Sequence, residues 1–330
     1  MASTTYFNWH ERDFNPYQVL TIYPTEMEIF GSLTFHELML LDAARVNPFK
    51  LAIERTGKDH PGLVCVDIGS GLGTLALFCA KFGSAKRIYA IEQKKSIFKL
   101  SKEVARAQEG CINNKIKFLH GRSFDLELPE KADLLITETI GSIGIEEKLV
   151  SIINDAKKRF LHKDAIIIPA ELEFLAAPME SRRCHNRVSF WNKTRYGIDL
   201  SVISPHAASR IYQHRVLSKE LLGKPIKIGK LKLDGADLVQ TRLSLSGTCP
   251  IQRSGTLHGF AAWFRVRLYD KIYLSNDPLK KRTPFNWTQA FFPLPNSNKC
   301  LQKVAKGQKV SIAVKWDLAS DKASWSCEVV

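Results

Sequence analysis

The sequence predicts a doubly wound α/β domain of the Rossmann-like type, followed by an all-β domain. In the first half, apolar runs typical of buried strands alternate with segments of helical periodicity. A glycine-rich turn, Gly69-Ser-Gly-Leu-Gly73, directly follows the first of those runs. After Pro169, the alternation of strands and helices gives way to short β-like runs separated by turn residues. This pattern indicates a β-barrel or a β-sandwich.

The alternating half is predicted to form a parallel sheet with helices on both faces. Residues 35–53 have apolar side chains near helical spacing, and Asn47-Pro48 is expected to kink that helix or to start a second one. The strands are predicted at 63–68, 87–91, 116–119, 134–137 and 165–168, and the later helices at 74–81, 95–109 and 146–159. Ligands of such sheets bind outside the carboxyl ends of the strands.

The second half is predicted to be a separate β domain. Its β-like runs are predicted at 171–176, 240–245, 260–268, 289–292 and 310–316. A boundary near 168–170 divides the chain into an N-terminal segment (1–34), the α/β domain (35–169) and the β domain (170–330). Residues 190–222 interrupt the β pattern and are expected to form an insertion or an arm.

Composition indicates an ordinary globular protein of 330 residues, with 45% hydrophobic and 25% charged residues. No apolar run is long enough to cross a bilayer, and residues 1–8 lack a signal pattern, so no membrane partner is predicted. The seven cysteines are scattered and form no CxxC pair. A disulfide framework or a zinc site is therefore not expected, no metal is predicted, and the location is predicted to be the reducing cytoplasm.

The formal net charge is +15, with basic clusters at 157–159, 224–232 and 280–282. Such a surface attracts nucleic acid, acidic proteins or anionic membranes, but we favour its interpretation as an ordinary solvated surface. No arginine-glycine tail, zinc knuckle or RNA-binding signature accompanies the charge, so a nucleic-acid partner has no motif to support it.

The glycine-rich turn predicts a cofactor site. Gly69, Gly71 and Gly73 let the backbone turn sharply and approach a ligand, and Glu92 ends the next strand about 20 residues later, where a carboxylate binds a ribose diol. The spacing differs from G-x-G-x-x-G, and Asp67 before the turn would repel a pyrophosphate but suit an ammonium group. These features favour S-adenosylmethionine over NAD, and the segment resembles motif I of class I methyltransferases.

Two acids frame a loop after the fourth predicted strand. Glu138 ends that strand, and Glu147 is expected to begin the next helix. Gly141 and Gly144 allow the loop to fold back, which would bring the two carboxylates together. Paired carboxylates suit a guanidinium, because its planar fork donates bidentate hydrogen bonds, and they would also localise its charge and align one nitrogen for methyl transfer. For Glu146 we expect only stabilisation of the helix N-terminus.

Together these residues resemble the protein arginine methyltransferase family over nearly the whole chain. The matching segments are the N-terminal helix motif (36–45), motif I (64–73), the ribose-binding acid Glu92, the double-E loop (138–147), the start of the dimerisation arm (190–201) and two barrel motifs (258–264 and 283–289). The resemblance implies a β-barrel second domain, a homodimer formed through the arm, and methylation of arginine.

The resemblance also implies roles for single residues. Arg45 would clamp the cofactor carboxylate, while Asp67 and the glycines would hold its methionine portion. Glu138 and Glu147 would grip the guanidinium. The remaining implied residues are Met39 near the transferred methyl group, and His36, Asn286 and Trp287 at the substrate. His36 is equally consistent with a polar residue near a helix start, and Trp287 with a core aromatic.

Departures from the family pattern leave the acceptor open. Phe30 stands where a tyrosine is usual, Phe285-Asn286 replaces Thr-His, Phe124 replaces an acid at the adenine, and loop 139–145 lacks the usual aromatics. The acceptor is therefore an arginine of a protein or peptide, or free arginine, and the product type stays open. Two alternatives remain: a methyltransferase with a non-guanidine acceptor, and a non-catalytic nucleic-acid-binding or scaffold protein on this fold.

Overall fold

A computed structural model describes residues 31–109, 112–294, 302–320 and 322–330. Most of the N-terminal segment (1–34), including Phe30, lies outside the described residues. The predicted fold class is confirmed, because a parallel sheet with flanking helices is followed by a domain of antiparallel sheets.

The parallel sheet has the strand order β3-β2-β1-β4-β5. Its strands are β1 (Val64–Ile68), β2 (Arg87–Glu92), β3 (Ile116–His120), β4 (Ala132–Thr137) and β5 (Leu161–Ile168). Every residue of the central strand β1 is buried, as expected for a strand covered on both faces. The carboxyl ends of β1, β2 and β4 are adjacent, since Ile68 pairs with both Ile91 and Thr137.

Six helices accompany this sheet among the described residues. They are α1 (Leu33–Leu41), α2 (Ala43–Asp59), α3 (Thr74–Lys81), α4 (Lys95–Arg106), α5 (Ile112–Lys115) and α6 (Leu149–Arg159). The predicted break at Asn47-Pro48 is wrong, because the chain bends at Asp42 instead, where φ is −81° and ψ is 78°. Pro48 lies within α2, where it removes a single backbone donor, and the helix continues past it.

Antiparallel strands form the second domain. They are β6 (Glu171–Met179), β7 (Tyr212–His214), β8 (Ile226–Lys232), β9 (Arg242–Pro250), β10 (Gly255–Leu257), β11 (Gly259–Tyr269), β12 (Ile272–Ser275), β13 (Gln289–Pro293), β14 (Gln302–Val304), β15 (Lys309–Asp317) and β16 (Lys322–Val329). The main sheet has the order β7-β13-β11-β6-β8 with β12 beside β11, and two smaller sheets contain β16-β15-β9 and β10-β14. Strands β7, β8, β10, β12, β14 and β16 were not predicted. In β8 and β16, charged and small residues dilute the apolar alternation.

The chain passes from one sheet system to the other within three residues. β5 ends at Ile168, a cis bond joins Ile168 to Pro169, and β6 begins at Glu171. Helix α2 packs against β11 and β12, so the two domains share an interface beside the carboxyl ends of the parallel strands. That interface holds the candidate site.

The expected arm combines short helical segments with one short strand. Between β6 and β8 lie α7 (Arg182–Ser189), three single 3₁₀ turns and α8 (Ser204–Ala208). The last part of the 190–222 segment includes β7, which pairs with β13 of the main sheet. Its middle carries exposed apolar side chains, with Tyr196 fully exposed. None of the helices in the described ranges is long and apolar enough to span a membrane.

Candidate active site

The glycine-rich turn is held in shape by the neighbouring strand. Gly69, Gly71 and Gly73 have φ values of 76°, 54° and 83°, which only glycine adopts without strain. The amide of Gly69 donates to the carbonyl of Ile91, as does that of the next residue. A Cβ atom at Gly71 would lie 2.9 Å from the ring of His36, so the turn packs closely against α1. We call this turn the cofactor cradle.

Asp67 supplies a buried carboxylate beside that cradle. Its Oδ2 accepts a hydrogen bond from the Ala76 amide at 3.0 Å. Its Oδ1 is buried and has no hydrogen-bond partner among the described residues. Burial, with the nearby charges of Glu92 and Glu138, raises the pKa of Asp67 to about 7, although the Ala76 hydrogen bond lowers it. An unpartnered buried oxygen of this kind fits the ammonium group of S-adenosylmethionine.

Glu92 has a structural role that the sequence analysis did not anticipate. Its Oε2 accepts the Gly71 amide at 2.9 Å, and its Oε1 accepts the Lys94 amide at 2.7 Å. The carboxylate therefore fixes the turn to the start of α4. Each oxygen retains a second lone pair, so this arrangement is compatible with binding of ribose hydroxyls as well.

Arg45 lies in the first turn of α2 and is turned toward the acceptor side of the site. It forms a buried ion pair through Nη2 with Oε2 of Glu138. Its guanidinium carbon lies 4.3 Å from the ring centroid of Trp287, a cation–π distance. The structure thus places Arg45 on Glu138, and the contact with the cofactor carboxylate that the resemblance implies stays a prediction.

Glu138 ends β4 within the same cluster. Its second oxygen, Oε1, is buried without a hydrogen-bond partner in the described part of the chain. Burial raises the pKa of Glu138, and the Arg45 charge and hydrogen bond oppose that rise. The preceding Thr137 donates its hydroxyl to the carbonyl of Ile68 at 2.9 Å, so the ends of β4 and β1 are tied together.

The double-E loop is folded by Glu146. The Glu146 carboxylate accepts the amides of Ile143 at 2.8 Å and Ile145 at 3.0 Å. A Cβ atom at Gly141 would lie 2.4 Å from that carboxylate, so a side chain at this position would displace the carboxylate from the two amides. Helix α6 begins only at Leu149, and the expectation that Glu146 stabilises a helix N-terminus is therefore wrong.

The late helix start also corrects the placement of Glu147. This residue does not begin the helix but lies half-buried in the turn before it. The Glu146 carboxylate folds the loop onto itself, together with the Gly144 amide, which donates to the Gly141 carbonyl at 3.1 Å. Met39 is half-buried on α1, and its carbonyl accepts the Asp42 amide at 3.3 Å.

The β domain closes the pocket through the segment before β13. Trp287 is buried, and its indole nitrogen donates to the carbonyl of Ile140 at 2.9 Å. Its ring meets Phe264 edge-on, with centroids 5.4 Å apart. Trp287 therefore is both a core residue and the wall above the Arg45–Glu138 pair. The interpretation of Trp287 as a core aromatic is confirmed, and its role at the substrate stays a prediction.

Two positioning residues were missed in the sequence. Asp42, at the joint of α1 and α2, accepts the Asn286 amide through Oδ2 at 3.1 Å, and the Asn286 side chain bonds the Leu38 carbonyl. Fully buried Asn276 donates to the carbonyls of Ser142 and Thr288, both at 2.8 Å. A polar residue directly after β12 was the only signal for Asn276, while Asp42 stood inside a helical pattern.

The fold and the site define a class of protein. A doubly wound sheet, a glycine turn at the carboxyl end of its first strand and an acid on the next strand are the parts of an α/β methyltransferase. At the domain junction next to that turn, the Arg45 guanidinium lies on the Glu138 carboxylate and over the Trp287 ring.

Comparison with known proteins agrees with this class. The arginine methyltransferase oligomerization subdomain matches residues 171–324. Protein arginine N-methyltransferase 6 of Xenopus laevis is 30% identical over 278 residues, covering 81% of this chain and 80% of the relative. The chain is 28% identical over 303 residues to protein arginine N-methyltransferase 2 of Xenopus tropicalis, covering 87% of this chain and 67% of that protein. The chain belongs to the protein arginine methyltransferase family.

Solved structures share the fold. The PRMT1 enzyme–prozyme heterotetramer of Trypanosoma brucei, solved with AdoHcy, superposes with a TM-score of 0.75 at 16% identity and covers 91% of this chain and 99% of that one. Protein arginine methyltransferase 10 of Arabidopsis thaliana, described as uniquely open, gives a TM-score of 0.72 at 19% identity, with 91% and 98% covered.

Proposed function

We propose that this protein is an S-adenosylmethionine-dependent N-methyltransferase that methylates an arginine guanidinium. The proposal rests on the pair Glu138 and Trp287, which hold the guanidinium of Arg45 on a buried carboxylate and against an aromatic face. This pairing selects a planar cation, because the carboxylate accepts its N–H groups and the ring stabilises its charge.

The proposed chemistry depends mainly on alignment. The bound cofactor supplies an electrophilic methyl group. Glu138 would hold the acceptor guanidinium and draw its positive charge toward the nitrogens that do not react, with Glu147 as the second acid. The remaining nitrogen would then keep its lone pair directed at the methyl group. The proton released after transfer would pass to a carboxylate or to water.

On the cofactor side, we propose that Asp67 binds the ammonium group and Glu92 the ribose. The orphan Oδ1 of Asp67 and the position of Glu92 at the turn support these roles. Gly69, Gly71 and Gly73 would let the cofactor lie against the backbone. His36 over the turn and half-buried Met39 on the same helix would close the site, and Asn286 would hold α1 at the β domain.

We propose an arginine within a protein or peptide as the acceptor, because the relatives carry the name protein arginine N-methyltransferase. The experiment is mass spectrometry after incubation of the purified protein with S-adenosylmethionine and three acceptors: an arginine-rich peptide, a basic protein and free arginine. We expect one or two methyl groups on guanidino nitrogens of the peptide or protein. Transfer to free arginine alone would contradict the acceptor class, and no transfer to any acceptor would contradict the reaction.

We also propose a homodimer formed through residues 190–222. The match of residues 171–324 to an oligomerization subdomain supports it, as do exposed Tyr196, Ile198 and Val202 in one segment. Sedimentation equilibrium at micromolar concentration should give twice the chain mass, and Tyr196→Ser with Val202→Ser should shift the protein toward monomer. A strict monomer for the unaltered chain would contradict the dimer.

The proposed location is the cytoplasm, in which thiols stay reduced. All five cysteines within the described ranges are free and buried, which supports a reducing compartment. Fractionation of cells that express a tagged chain would test the location. Recovery in an oxidising compartment would contradict it.

A further inference from the structure

We propose that a cavity at the base of the arm is a second ligand site, which binds the carboxylate or phosphate group of a small molecule. The cavity lies where β6 ends, α7 begins and β10 leads into β11. Its volume is about 500 Å³, which is within the usual range of small-molecule sites. Its lining is polar and shares no residue with the site of Glu138 and Trp287: it consists of Glu180, Arg182, His185, Asn186, Thr256 and His258.

His258 supplies a buried hydrogen-bond donor to this cavity. The residue is only 7% exposed, and its Nδ1 accepts a hydrogen bond from the Ser181 amide at 2.8 Å. Because Nδ1 accepts, the proton of the neutral ring is on Nε2. Burial and the neighbouring His185 lower the pKa of His258, against an opposing effect of Glu180, so the ring is neutral near pH 7. Within the described ranges no residue accepts a hydrogen bond from Nε2, which leaves this donor for a ligand.

The ring of His258 is held in place by the protein itself. Ser181, whose amide orients the ring, accepts the Cys184 amide through its hydroxyl at 3.3 Å and donates that hydroxyl to Glu220 at 2.6 Å. Glu220 is in turn 2.9 Å from Nε2 of His214, a buried side chain of β7. This chain of hydrogen bonds fixes the donor, and a preorganised site loses less conformational entropy when a ligand binds.

Arg182 supplies the positive charge of the cavity. It is the exposed first residue of α7, its charge acts on His258, and it forms no ion pair with any residue that the structure describes. Glu180 does not neutralise it, because Oε2 of Glu180 pairs with Arg253 at 2.6 Å and Oε1 accepts the Thr256 amide at 2.9 Å. The Glu180–Arg253 pair is neutral as a whole, so Arg182 gives the cavity a net positive charge.

The stacked histidines add no charge of their own. The rings of His185 and His258 have centroids 5.0 Å apart and planes inclined by 17°. Burial lowers the pKa of His185 as well, so both rings are neutral near pH 7. The cavity therefore combines one unpaired guanidinium with neutral N–H donors.

These groups favour an oxyanion over other kinds of ligand. A guanidinium binds a carboxylate or a phosphate through two parallel hydrogen bonds, and Nε2 of His258 offers a further donor. The side chains of Asn186 and Thr256 can donate to the same group. A cation would be repelled by Arg182, and an apolar molecule would leave the buried donor of His258 unsatisfied.

The experiment is an NMR titration of the full chain labelled with ¹³Cε1-histidine, without S-adenosylmethionine, so that the result does not depend on methyl transfer. His185→Gln and His258→Gln assign the two signals. The probes are phenyl phosphate and benzoate, which distinguish a phosphate site from a carboxylate site, and benzyl alcohol is the uncharged control. We expect at least one of the two anions to shift the His258 signal saturably, with a Kd of about 1 mM or tighter. No saturable shift with either anion, or an equal shift with benzyl alcohol, would overturn the inference.

Two neighbouring arginines provide matched variants. Arg182→Met removes the guanidinium of the cavity, and Arg183→Met removes an equally exposed arginine of α7 that does not line it. Thermal unfolding verifies that both variants fold. We expect Arg182→Met to weaken binding of the anion by at least about tenfold, and Arg183→Met to change it by less than about twofold. Equal weakening by both substitutions would show only a general attraction to surface charge and would overturn the inference.

Discussion

The cofactor half and the acceptor half of the site are built in different ways. The cofactor half comes from one continuous stretch, residues 64–94, and is held by its own backbone: the turn donates to the Ile91 carbonyl and to Glu92. The acceptor half joins three distant segments, the α1–α2 joint, the double-E loop and the segment before β13. Side-chain hydrogen bonds across the domain interface hold those segments together.

This difference has a physical consequence. The cofactor half should stay formed whenever the parallel sheet is folded, because its contacts are local to two paired strands. The acceptor half should respond to any change that shifts one segment against another. Side-chain substitutions there should alter turnover while leaving cofactor binding intact.

Glu138→Gln should have the largest effect. The amide keeps the size of the side chain but loses the charge that holds and polarises the guanidinium, so we expect kcat to fall by about 10²–10³-fold. Cofactor affinity, measured by calorimetry, should change little. Glu130→Gln is the matched control, because Glu130 pairs with Arg87 and Tyr89 outside the site. Full activity of Glu138→Gln would contradict the assignment of Glu138 to the acceptor guanidinium.

Asp67→Asn should weaken cofactor binding and leave the acceptor half of the site formed. Loss of one charge of a buried pair costs about 2–5 kcal/mol, so cofactor affinity should fall by more than about tenfold. Asparagine can still accept from the Ala76 amide, which preserves the turn. Calorimetry with S-adenosylhomocysteine measures the loss. Unchanged affinity would show that the ammonium group lies elsewhere.

The raised pKa of Asp67 gives this site a pH dependence. With a folded pKa of about 7 against an ordinary 3.8, the stability contribution of the protonated form is complete below pH 4 and is lost as the pH rises through 7. Asp67→Asn should therefore raise the unfolding temperature at pH 8 and change it little at pH 4. Cofactor affinity of the unaltered protein should rise between pH 6 and pH 8, since the ammonium binds the ionised form. Opposite slopes would contradict the assignment.

Asn276→Ala should weaken the acceptor half by loosening the double-E loop. The substitution leaves the Ser142 and Thr288 carbonyls and the Phe264 amide without their partner. Buried groups left unsatisfied cost about 1–3 kcal/mol, so denaturant unfolding should show that loss together with a lower kcat. The surface variant Asn114→Ala, on α5, is the control. If cofactor affinity fell as much as kcat, the cofactor half would not be independent of the acceptor half, contrary to our expectation.

Trp287→Phe should have the smallest effect of the set. Phenylalanine keeps an aromatic face for the guanidinium but removes the hydrogen bond to the Ile140 carbonyl. One hydrogen bond contributes about 1 kcal/mol, so KM for the acceptor should rise by roughly fivefold with cofactor affinity unchanged. Steady-state kinetics with the peptide acceptor measures this. A KM unaffected by Trp287→Ala as well would exclude the ring from the pocket.

The same difference explains what the sequence could predict. Strand β1, the turn and Glu92 were predicted because all their signals lie within 30 residues and follow from backbone geometry. Helix α3 was placed with its observed bounds for the same reason. Glu138 was predicted as an acid at the end of a buried strand, and the resemblance to a family then supplied Trp287, which no local period indicates.

The rest could not be predicted, because it depends on contacts between distant segments. The break at Asp42 is set by an amide 244 positions away, and the role of Asn276 by a carbonyl 134 positions away. The Glu146 carboxylate lies inside its loop because Gly141 has no side chain to occupy that space. The spacing of residues in the sequence does not indicate this packing. The ion pair of Arg45 with Glu138 likewise needs the folded joint between α1 and α2.

A crystal structure of the protein with S-adenosylhomocysteine and an arginine peptide would test most directly whether Glu138 and Trp287 bind the acceptor. We expect the peptide guanidinium on the Glu138 carboxylate beneath the Trp287 ring, the cofactor ammonium at Asp67, and Arg45 on the cofactor carboxylate. A peptide arginine bound elsewhere, with Arg45 still on Glu138, would contradict the assignment of this pocket to the acceptor.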